Sequence, residues 1–343
     1  MTSWEELLSM EDELSETEKA QLLEQAKLMM QNHSASVVKS NTQRNAIPRP
    51  DCPYCNGSNV VLNGKHREKQ RYWCKSCNRT FVTTTNTASK GSHYDIDTWK
   101  KVISDTFNGC SIDKTAESIG AAHSTVFRMR HKILLALQYL EEMEPTELSN
   151  IAELDETYVL ESEKGKKFGE NATREPRKRG SKATKRGLSD EQVCICTGVE
   201  RNKGSSYAVT VNRARPSNDE IQQAFDSHIE EGTVIFTDGL KGYHILEENV
   251  DCRVTGVSVE EMKHSKTANL NNVNSFHSFI KNRYRNYRGV ASKYINRYNA
   301  LFSAGFRDRN NTIDKICELI LTIRNDDIHM KDEDVKTKAL FTD

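Results

Sequence analysis

The chain of 343 residues lacks the marks of a membrane or secreted protein. No apolar run approaches the roughly 18 residues that a membrane-spanning helix needs. The N-terminal segment MTSWEELLSMEDELSE has neither the basic n-region nor the apolar h-region of a signal peptide. The nine cysteines, an odd number with four in two CxxC pairs, favour metal binding and free thiols over a disulfide framework. We therefore expect a cytoplasmic protein.

The chain also lacks net charge, because 49 basic residues balance 49 acidic ones. The charge is nevertheless segregated: residues 1–30 contain eight acidic and two basic residues, whereas residues 163–187 contain ten Lys/Arg and three Glu. A basic block of this kind suits a phosphate backbone, although a solvated loop would look the same. Its candidate DNA contacts are Arg177, Lys178, Arg179, Lys185 and Arg186.

The two ends of the chain carry little chemistry. Apolar residues at roughly helical spacing predict an N-terminal helical arm that is followed by a polar linker, together spanning residues 1–48. The arm could serve dimerisation or docking, or it could be a helical hairpin with no further role. Residues 326–343 form an acidic tail.

Two cysteine pairs define the next segment, residues 49–85. The pairs are Cys52 with Cys55 and Cys74 with Cys77, separated by strand-like runs NVVLNG and QRYWC. Each CxxC turn directs two thiolates to one point, so the four sulfurs can close a tetrahedral zinc site. Four protein ligands leave no open position for catalysis. The pattern predicts a zinc ribbon in which one structural Zn²⁺ replaces a hydrophobic core.

Residues 93–145 are predicted to be helical, with a helix-turn-helix in the middle. Ser111 and Gly120 bound the first helix, and Ser124 is a candidate N-cap of the second. The second helix of such a motif enters the major groove with its N-terminal residues near base edges. Those residues are Thr125, Arg128, Met129 and Lys132. A plain helical bundle between two domains is the alternative.

A domain over residues 150–325 follows, which contains the basic insert 163–187. Short runs rich in β-branched and aromatic residues predict strands, and Ser217 with Glu220 predicts a capping box between the third and the fourth. The strands are ELDETYVLES, QVCICTGVER, SSYAVTVNR, TVIFTD and CRVTGVSVE, and the helix-like segments include YHILEEN and the region from Asn271. Three meandering strands followed by alternating helices and strands predict an α/β ribonuclease-H-like domain with a mixed five-stranded sheet. The first and fourth strands of that topology are parallel neighbours. Cys194, Cys196 and Cys317 lie in apolar segments and are expected in the core.

Two aspartates and one helix form the candidate catalytic site. Asp155 lies in the first strand and Asp238 ends the fourth, so the topology places them side by side. Asn274, His277, Ser278 and Lys281 form one polar stripe on the later helix, whereas Phe276, Phe279 and Ile280 face away to pack on the sheet. The chain lacks an acid at position 274, where an amide offers only a neutral oxygen to a metal. Two Mg²⁺ ions held here would suit phosphodiester chemistry. Lys281 would contact a phosphate. His277 would either donate a hydrogen bond to a phosphate or have a structural role.

These segments together resemble a known family. They are similar to DDE-type insertion-sequence transposases of the zinc-ribbon IS1595 branch. The similarity lies in the CPYC and WCKSCNRTF ribbon, the helix-turn-helix, and the segments ELDETYV, RGLSDEQVCI, VIFTDGLKGY and NNVNSFHSFIKNRYRNYRGVASKYINRY. The resemblance covers residues 50–310. It implies that Asp155, Asp238, Asn274 and Lys281 are the catalytic set, in an Asp-Asp-Asn-Lys variant that uses Mg²⁺, or Mn²⁺ in its place. Glu260 and Glu261 are the substitutes if Asn274 is not the third ligand.

The resemblance further implies strand cleavage at transposon ends and strand transfer into target DNA. The expected partners are the terminal inverted repeats, target double-stranded DNA and further copies of this chain assembled on DNA, in a cytoplasmic, nucleoid-associated protein without a membrane partner. Two alternatives stay open. One is a DNA-binding regulator with a catalytically silent domain, and the other is a structure-selective nuclease on the same fold.

Overall fold

The computed structural model describes residues 27, 49–66, 69–162, 164, 183–202, 204–265, 267–287, 290–306, 309–322, 331, 334 and 335. The chain divides into two compact units, residues 1–81 and residues 82–343. The predicted N-terminal arm, the centre of the basic insert and most of the acidic tail lie outside the described residues. Within the described part of the chain, no helix combines the length and the apolarity needed to cross a membrane.

A three-stranded ribbon makes up the described part of the first unit. Its strands are β1 (Val60–His66), β2 (Lys69–Cys74) and β3 (Thr80–Val82), in the order β1-β2-β3. β1 and β2 pair antiparallel, with Val60 opposite Cys74. The rings of Tyr72 and Phe81 stack with centroids 5.4 Å apart. The predicted ribbon strands are therefore confirmed, and their apolar core is small.

Three helices open the second unit: α1 (Ile96–Phe107), α2 (Ile112–Ile119) and α3 (His123–Met143). The predicted ends of α2 are confirmed. Ser111 is its N-cap, and its side chain accepts a hydrogen bond from the Lys114 amide. Gly120 is its C-cap with φ of 64°, a left-handed conformation that glycine adopts without steric cost.

Two details predicted for α3 are wrong. The helix begins at His123 after an N-cap at Ala122, so Ser124 lies inside the first turn and does not cap it. The Ala122 carbonyl accepts the Thr125 and Val126 amides, which fixes the helix start before Ser124. Met129 is only 5% exposed and packs in the core, because the face of α3 that carries it turns towards the other helices. Met129 therefore cannot reach a DNA base.

A mixed five-stranded sheet forms the centre of the second unit. Its strands are β4 (Ile151–Leu160), β5 (Gln192–Glu200), β6 (Ser206–Arg213), β7 (Val234–Thr237) and β8 (Arg253–Gly256). Their order is β6-β5-β4-β7-β8. β4, β5 and β6 pair antiparallel, whereas β7 lies parallel to β4 and β8 parallel to β7. The predicted ribonuclease-H-like topology is confirmed, including the parallel first and fourth strands.

Helices cover this sheet. They are α4 (Asn218–Phe225), a 3-10 helix (Lys241–Glu248), α5 (Val259–His264), α6 (Asn271–Asn286), a second 3-10 helix (Ser292–Tyr294), α7 (Ile295–Gly305) and α8 (Arg309–Leu321). The predicted Ser217 capping box of α4 is confirmed. The predicted strand CRVTGVSVE is too long, because it ends at Gly256 and a second capping box, Ser258 with Glu261, starts α5.

The sheet separates two hydrophobic cores. Along β5, Val193 and Ile195 pack on the side of α1, α3, α6, α7 and α8, while Cys194 and Cys196 pack on the side of α4 and the first 3-10 helix. This alternation follows from the two-residue period of a strand. The two cysteines are fully buried, as predicted, and Cys317 lies in the first core. With both faces covered, the ends of the strands are where polar side chains can gather.

Candidate active site

Three carboxylates meet where β4 passes the end of β7. Asp155, Glu156 and Asp238 each offer one oxygen, and these oxygens lie within 4.8 Å of one another. The structure thus brings together the two aspartates that the sequence singled out. Glu156 is an addition that the sequence reasoning missed. Oxygen ligands gathered at this spacing suit a divalent cation.

The short length of β7 explains how neighbouring residues of one strand share a site. β7 pairs with β4 only as far as Phe236 opposite Glu153, and it ends at Thr237. Asp155 and Glu156 therefore lie beyond the last paired residue, beside an open edge. Their side chains start on opposite faces of β4, but without a neighbouring strand both reach the space next to Asp238.

A glycine turn fixes Asp238 at this edge. Gly239 has φ of +87°, and a Cβ at Gly256 would lie 2.9 Å from the Gly239 Cα. The turn after β7 therefore packs backbone against backbone on the end of β8, which leaves no room for a side chain at Gly256. Asp238 Oδ1 accepts a hydrogen bond of 3.0 Å from the Leu240 amide. The carboxylate is thereby held at the strand end while it stays exposed.

The cluster carries unfavourable negative charge. Burial, followed by the neighbouring Glu156 and Asp238, raises the pKa of Asp155 to about 7, against a smaller opposing effect of Lys281. Burial also raises the pKa of Glu156, with Asp238 adding to the shift. Like charges at this distance disfavour simultaneous ionisation. A bound cation would relieve the repulsion, because it interacts favourably with every carboxylate of the cluster.

An unpartnered oxygen also fits a metal site. Glu156 Oε1 and the Tyr243 hydroxyl are both buried, and neither makes a hydrogen bond of normal geometry within the described residues. The two side chains interact more weakly with each other, since the Tyr243 hydroxyl lowers the pKa of Glu156 against the larger effect of burial. The two groups lie close enough for Glu156 to raise the pKa of Tyr243, after the larger effect of burial. A buried acceptor left unpaired costs free energy. The donor set and this unpaired oxygen are therefore compatible with a divalent cation.

His277 on α6 is a structural neighbour of Asp155. Its Nε2 lies 2.7 Å from Thr197 Oγ1, and Thr197 Oγ1 donates its proton to the Asp155 carbonyl at 2.6 Å. Nε2 must therefore donate to Thr197. Burial, then the Lys281 charge, lower the pKa of His277 to about 4, so the ring is neutral at pH 7. Its Nδ1 is then an acceptor, 3.9 Å from Asp155 Oδ2, and this buried ring cannot donate to a phosphate.

A buried glutamate anchors the start of α6 to β4. Glu153, two residues before Asp155, is fully buried. Its Oε2 accepts the amides of Asn272 at 2.8 Å and Val273 at 3.0 Å, and its Oε1 accepts Asn272 Nδ2 at 2.8 Å. The N-terminal amides of a helix lack partners within the helix, and they favour a negative group. Since the N-cap Leu270 has no capping side chain, Glu153 takes over this function from the sheet.

Arg201 completes the anchor. Its Nε donates to Glu153 Oε1 at 2.8 Å, and its two terminal nitrogens donate to the carbonyls of Thr267 and Asn269. The guanidinium also lies 4.4 Å from the ring centroid of Phe236 on β7. One side chain thus connects β4, which carries Asp155, with β7, which leads into Asp238, and with the loop that leads into α6.

Asn274 and Lys281 lie on α6 with exposed side chains. Asn274 follows directly after the two amides that Glu153 binds, and its carbonyl accepts a hydrogen bond from Ser278 Oγ. The Lys281 charge lowers the pKa values of both Asp155 and His277, so its ammonium lies on the side of α6 that faces the acidic cluster. Phe276 and Ile280 are fully buried, as predicted for the packing face.

The alternative acids on α5 are engaged elsewhere. Glu261 accepts hydrogen bonds from the Ser258 amide at 2.8 Å and from Ser258 Oγ at 2.7 Å, as part of the capping box. Glu260 is exposed and lies 4.0 Å from His264 Nε2. Neither residue is in the carboxylate cluster. Among the described acids, Glu156 is the one that joins the two aspartates.

The predicted DNA contacts occupy different surroundings. On α3, Arg128 is exposed and Thr125 and Lys132 are half-buried. In the basic insert, Lys185 donates to Asp190 Oδ1 at 2.6 Å, and Arg186 is exposed. Arg177, Lys178 and Arg179 lie outside the described residues.

The four cysteines of the ribbon form a second candidate metal centre. The sulfurs of Cys52, Cys55, Cys74 and Cys77 lie within 4.8 Å of one another. The Cys52 and Cys77 sulfurs are 3.5 Å apart, and those of Cys55 and Cys74 are 3.6 Å apart. Hydrogen bonds from the backbone amides of Cys77 and Ser76 help to lower the pKa of Cys74 to about 6, which favours the thiolate that a metal needs. Without a metal, the pKa values of Cys52 and Cys55 are raised, because burial and the neighbouring sulfurs disfavour further thiolates. This geometry is compatible with a zinc ribbon.

Comparison with known proteins agrees with this architecture. The family described as the ISXO2-like transposase domain matches residues 147–307. The matched residues make up slightly less than half of the chain. An uncharacterized protein in transposable element ISH50 of Halobacterium salinarum is 26% identical over 200 residues, which are 58% of this chain and 65% of that protein. The match thus spans less than two thirds of the length of this relative.

Solved structures give only distant matches. A pre-cleavage Mos1 transpososome matches with 9% identity and a TM-score of 0.29, over 61% of this chain and 71% of that one. A simian T-cell lymphotropic virus intasome matches with 10% identity and a TM-score of 0.28, over 60% and 66% of the two chains. The fold assignment rests on the strand order of the sheet instead.

The matched residues begin just before β4 and end just after α7. They therefore contain all five strands of the sheet, the carboxylate cluster and the whole of α6. The cysteine ribbon, α1, α2 and α3 lie outside the matched residues.

Proposed function

We propose that this protein is a DDE-type transposase of a bacterial or archaeal insertion sequence. It recognises the terminal inverted repeats of its element and catalyses metal-dependent DNA strand cleavage and strand transfer. The observation that carries the proposal is the cluster of Asp155, Glu156 and Asp238, because it lies inside the residues that match the ISXO2-like transposase domain. Phosphodiester chemistry needs divalent cations at such a cluster.

The carboxylates of the cluster would hold two Mg²⁺ ions, which Mn²⁺ could replace. Asn274 would add a neutral carbonyl oxygen from α6. When bound, the two cations activate the attacking hydroxyl or water and stabilise the leaving oxygen of an in-line displacement. The fixed positions of Asp155 and Asp238 on adjacent strands orient these ligands before DNA arrives.

The remaining residues of the site position the ligands and the substrate. His277, neutral and bonded to Thr197, keeps a non-charged acceptor beside Asp155 and leaves the carboxylate free for a cation. The exposed ammonium of Lys281 would contact the scissile or an adjacent phosphate as a point charge. Glu153 and Arg201 hold α6 against the sheet, so they set the distance between Lys281 and the cluster.

The other parts of the chain would bind DNA. The ribbon would hold one structural Zn²⁺, and α1–α3 would act as the helix-turn-helix region, with Thr125, Arg128 and Lys132 near the groove. The basic insert would add phosphate contacts through Arg177, Lys178, Arg179, Lys185 and Arg186. Because two transposon ends must be joined to one target, we infer a homo-oligomer on DNA, in a cytoplasmic, nucleoid-associated protein.

Strand transfer with purified protein tests the proposal. Linear DNA that carries the ends of the element is mixed with the full chain, Mg²⁺ and a target plasmid. Asp155→Asn should reduce strand transfer by at least about a thousandfold, because the site loses a charged ligand, while end binding changes less than about twofold. Glu260→Gln, a nearby acid outside the cluster, is the matched control and should retain transfer.

The other outcomes separate the rival functions. Retained transfer in Asp155→Asn would remove the metal assignment. Specific end binding without any cleavage by the wild-type chain would indicate a regulator. Cleavage without preference for the inverted repeats would indicate a structure-selective nuclease.

A further inference from the structure

A cavity of about 450 Å³ lies beside the turn between α2 and α3, away from the carboxylate cluster. Its walls come from α2, the first turns of α3, the end of α6 and the second 3-10 helix. The volume falls within the range of about 300–1,000 Å³ that is common for small-molecule sites. The side chains that decide its chemistry are Phe127, Arg130, His131, Tyr287, Lys293 and Tyr294.

Arg130 places a positive charge in the wall of this cavity. The residue is only 1% exposed. One terminal nitrogen donates to the Cys110 carbonyl at 2.8 Å, and the guanidinium lies 5.4 Å from the ring centroid of Tyr287. The guanidinium also interacts with the Tyr298 side chain. Its Nε has no hydrogen-bond partner, and no carboxylate forms an ion pair with Arg130, among the residues that the structure describes. A buried charge without a counter-ion is costly, and an anion in the cavity would offset that cost.

The rest of the lining strengthens the preference for an anion. Lys293 also lines the cavity. Asp113 is the single acid among the described lining residues, and its carboxylate lies 3.6 Å from His123 Nε2. The cavity therefore presents excess positive charge, and phosphate is the anion that arginine and lysine bind most readily in DNA-binding proteins.

One wall of the cavity is aromatic. The His131 ring lies 4.3 Å from Phe127 and 4.3 Å from Tyr294, between centroids. Burial, then Arg297, Arg130 and Lys293, lower the pKa of His131 to about 3. The imidazole is therefore neutral, and it extends the aromatic surface without binding phosphate as a cation. Aromatic surfaces of this kind stack nucleobases irrespective of base identity.

We propose that this cavity binds one unpaired nucleotide of the DNA on which the protein acts. The Lys293 ammonium lies 4.8 Å from the centroid of the Tyr294 ring, and the Arg297 guanidinium lies 5.1 Å from it. The phosphate would face Arg130 and draw Lys293 away from this ring, and the base would pack against the aromatic wall of Phe127 and Tyr294. Within a duplex both faces of a base are covered by its stacked neighbours, so a base can reach the aromatic wall only after it leaves the duplex, as in proteins that extrude a base. The inference rests on the proposed function, because DNA supplies the nucleotide, and it locates the site next to the start of α3.

Binding of paired and unpaired DNA tests the inference with the full chain. The probes are a labelled duplex and the same duplex with one extra, unpaired 2-aminopurine nucleotide. The wild-type chain should bind the bulged duplex about tenfold more tightly, a difference within the range of one base stacked on an aromatic ring. The 2-aminopurine fluorescence should fall as the base stacks. Equal affinity for both probes would overturn the proposal.

Two variants locate the effect. Lys293 and Tyr294 are half-buried residues at the cavity wall. Lys293→Gln and Tyr294→Leu should each reduce the preference for the bulged duplex to less than about threefold. Lys100→Gln, an exposed lysine on α1, is the matched control and should keep the preference. If all three variants keep it, the bulge binds elsewhere and the proposal fails.

A competition experiment distinguishes the source of the nucleotide. Free deoxyadenosine monophosphate should compete only at millimolar concentration, because DNA holds its nucleotide at high local concentration. Competition at micromolar concentration without any bulge preference would assign the cavity to a free nucleotide and overturn the DNA assignment. Strand transfer is measured in parallel. Transfer without bulge preference removes this inference alone, and bulge preference without transfer removes the proposed function alone.

Discussion

Replacing Glu153 with glutamine tests whether α6 is held by the sheet. The substitution keeps the shape of the side chain but removes the charge that receives Arg201 and the first amides of α6. Breaking one partner of a buried ion pair costs about 3–5 kcal/mol. Because glutamine keeps one carbonyl acceptor, we expect Glu153→Gln to lower the free energy of unfolding by about 3 kcal/mol. For a unit of this size, that loss lowers Tm by about 6–12 °C.

Two measurements separate the local effect from general destabilisation. Differential scanning calorimetry gives the loss of stability. Hydrogen exchange gives the protection of the Asn272 and Val273 amides, which should fall more than that of the amides in β5. Magnesium affinity, measured by titration calorimetry, should also fall, because α6 no longer holds Asn274 in one position next to the cluster.

The chain offers a matched control in Glu161→Gln. Glu161 forms a comparably buried ion pair with Arg213 through two hydrogen bonds of 3.0 Å, at the other end of β4. Its loss should destabilise the protein while magnesium affinity and the protection of α6 stay unchanged. The reasoning is refuted if Glu153→Gln unfolds within about 1 kcal/mol of wild type with unchanged exchange at the start of α6.

Three further predictions concern the two metal centres. In cation-free protein the pKa of Asp155 is raised from 3.8 to about 7. The contribution of Asp155 to folding stability is therefore complete below pH 3.8 and lost as pH rises through 7. Chemical denaturation at pH 6 and pH 8 should show this fall, and saturating Mg²⁺ should abolish it. Glu156→Gln should weaken Mg²⁺ binding about tenfold in titration calorimetry, because metal affinity depends on the number of charged ligands. Adding Asn274→Glu should restore the Mg²⁺ affinity. A double variant that binds Mg²⁺ no better than Glu156→Gln would place Asn274 outside the metal's reach. Cys74→Ser should remove the bound zinc, measured by atomic absorption, and unfold the ribbon. Residues 82–343, which form a separate compact unit, should stay folded. Full zinc content in this variant would contradict the four-cysteine site.

The fold could be predicted from the sequence because local signals were strong and consistent. Ser111, Gly120 and the Ser217 capping box fix helix ends through contacts within four residues. The alternation of Val193 and Ile195 with Cys194 and Cys196 follows from the strand period alone. The order of strands and helices then leaves few topologies that bring β4 and β7 together.

The errors came where one local signal competed with another. Ser124 is a good capping residue, yet Ala122 caps α3 because the chain already has the extended conformation there, with ψ of 145°. VSVE after Gly256 has β-propensity, yet the Ser258 hydroxyl and the Glu261 carboxylate start a helix. Met129 sits at a position typical of base contacts, but α3 buries that face. Tertiary packing decides such cases.

Contacts between distant residues could not be read from the sequence at all. The four hydrogen bonds that Glu153 accepts join residues 48 and about 120 positions apart. Glu156 was missed for a related reason, since strand alternation assigns it to the face opposite Asp155. Only the early end of β7 lets both side chains reach Asp238, and the length of a pairing is a property of the folded sheet.

The position of Glu156 changes the meaning of the amide at Asn274. An acid on α6 would have to be held in place by the helix, whereas Glu156 is held by the same strand as Asp155. Three carboxylates from β4 and β7 give the cluster the same formal charge as two aspartates with a third acid on the helix. With that charge supplied by the sheet, α6 presents neutral and positive groups, namely Asn274 and Lys281. If the proposed function holds, the negative charge that binds the cations would come from the rigid sheet, and α6 would carry no acid that repels the phosphate backbone of DNA.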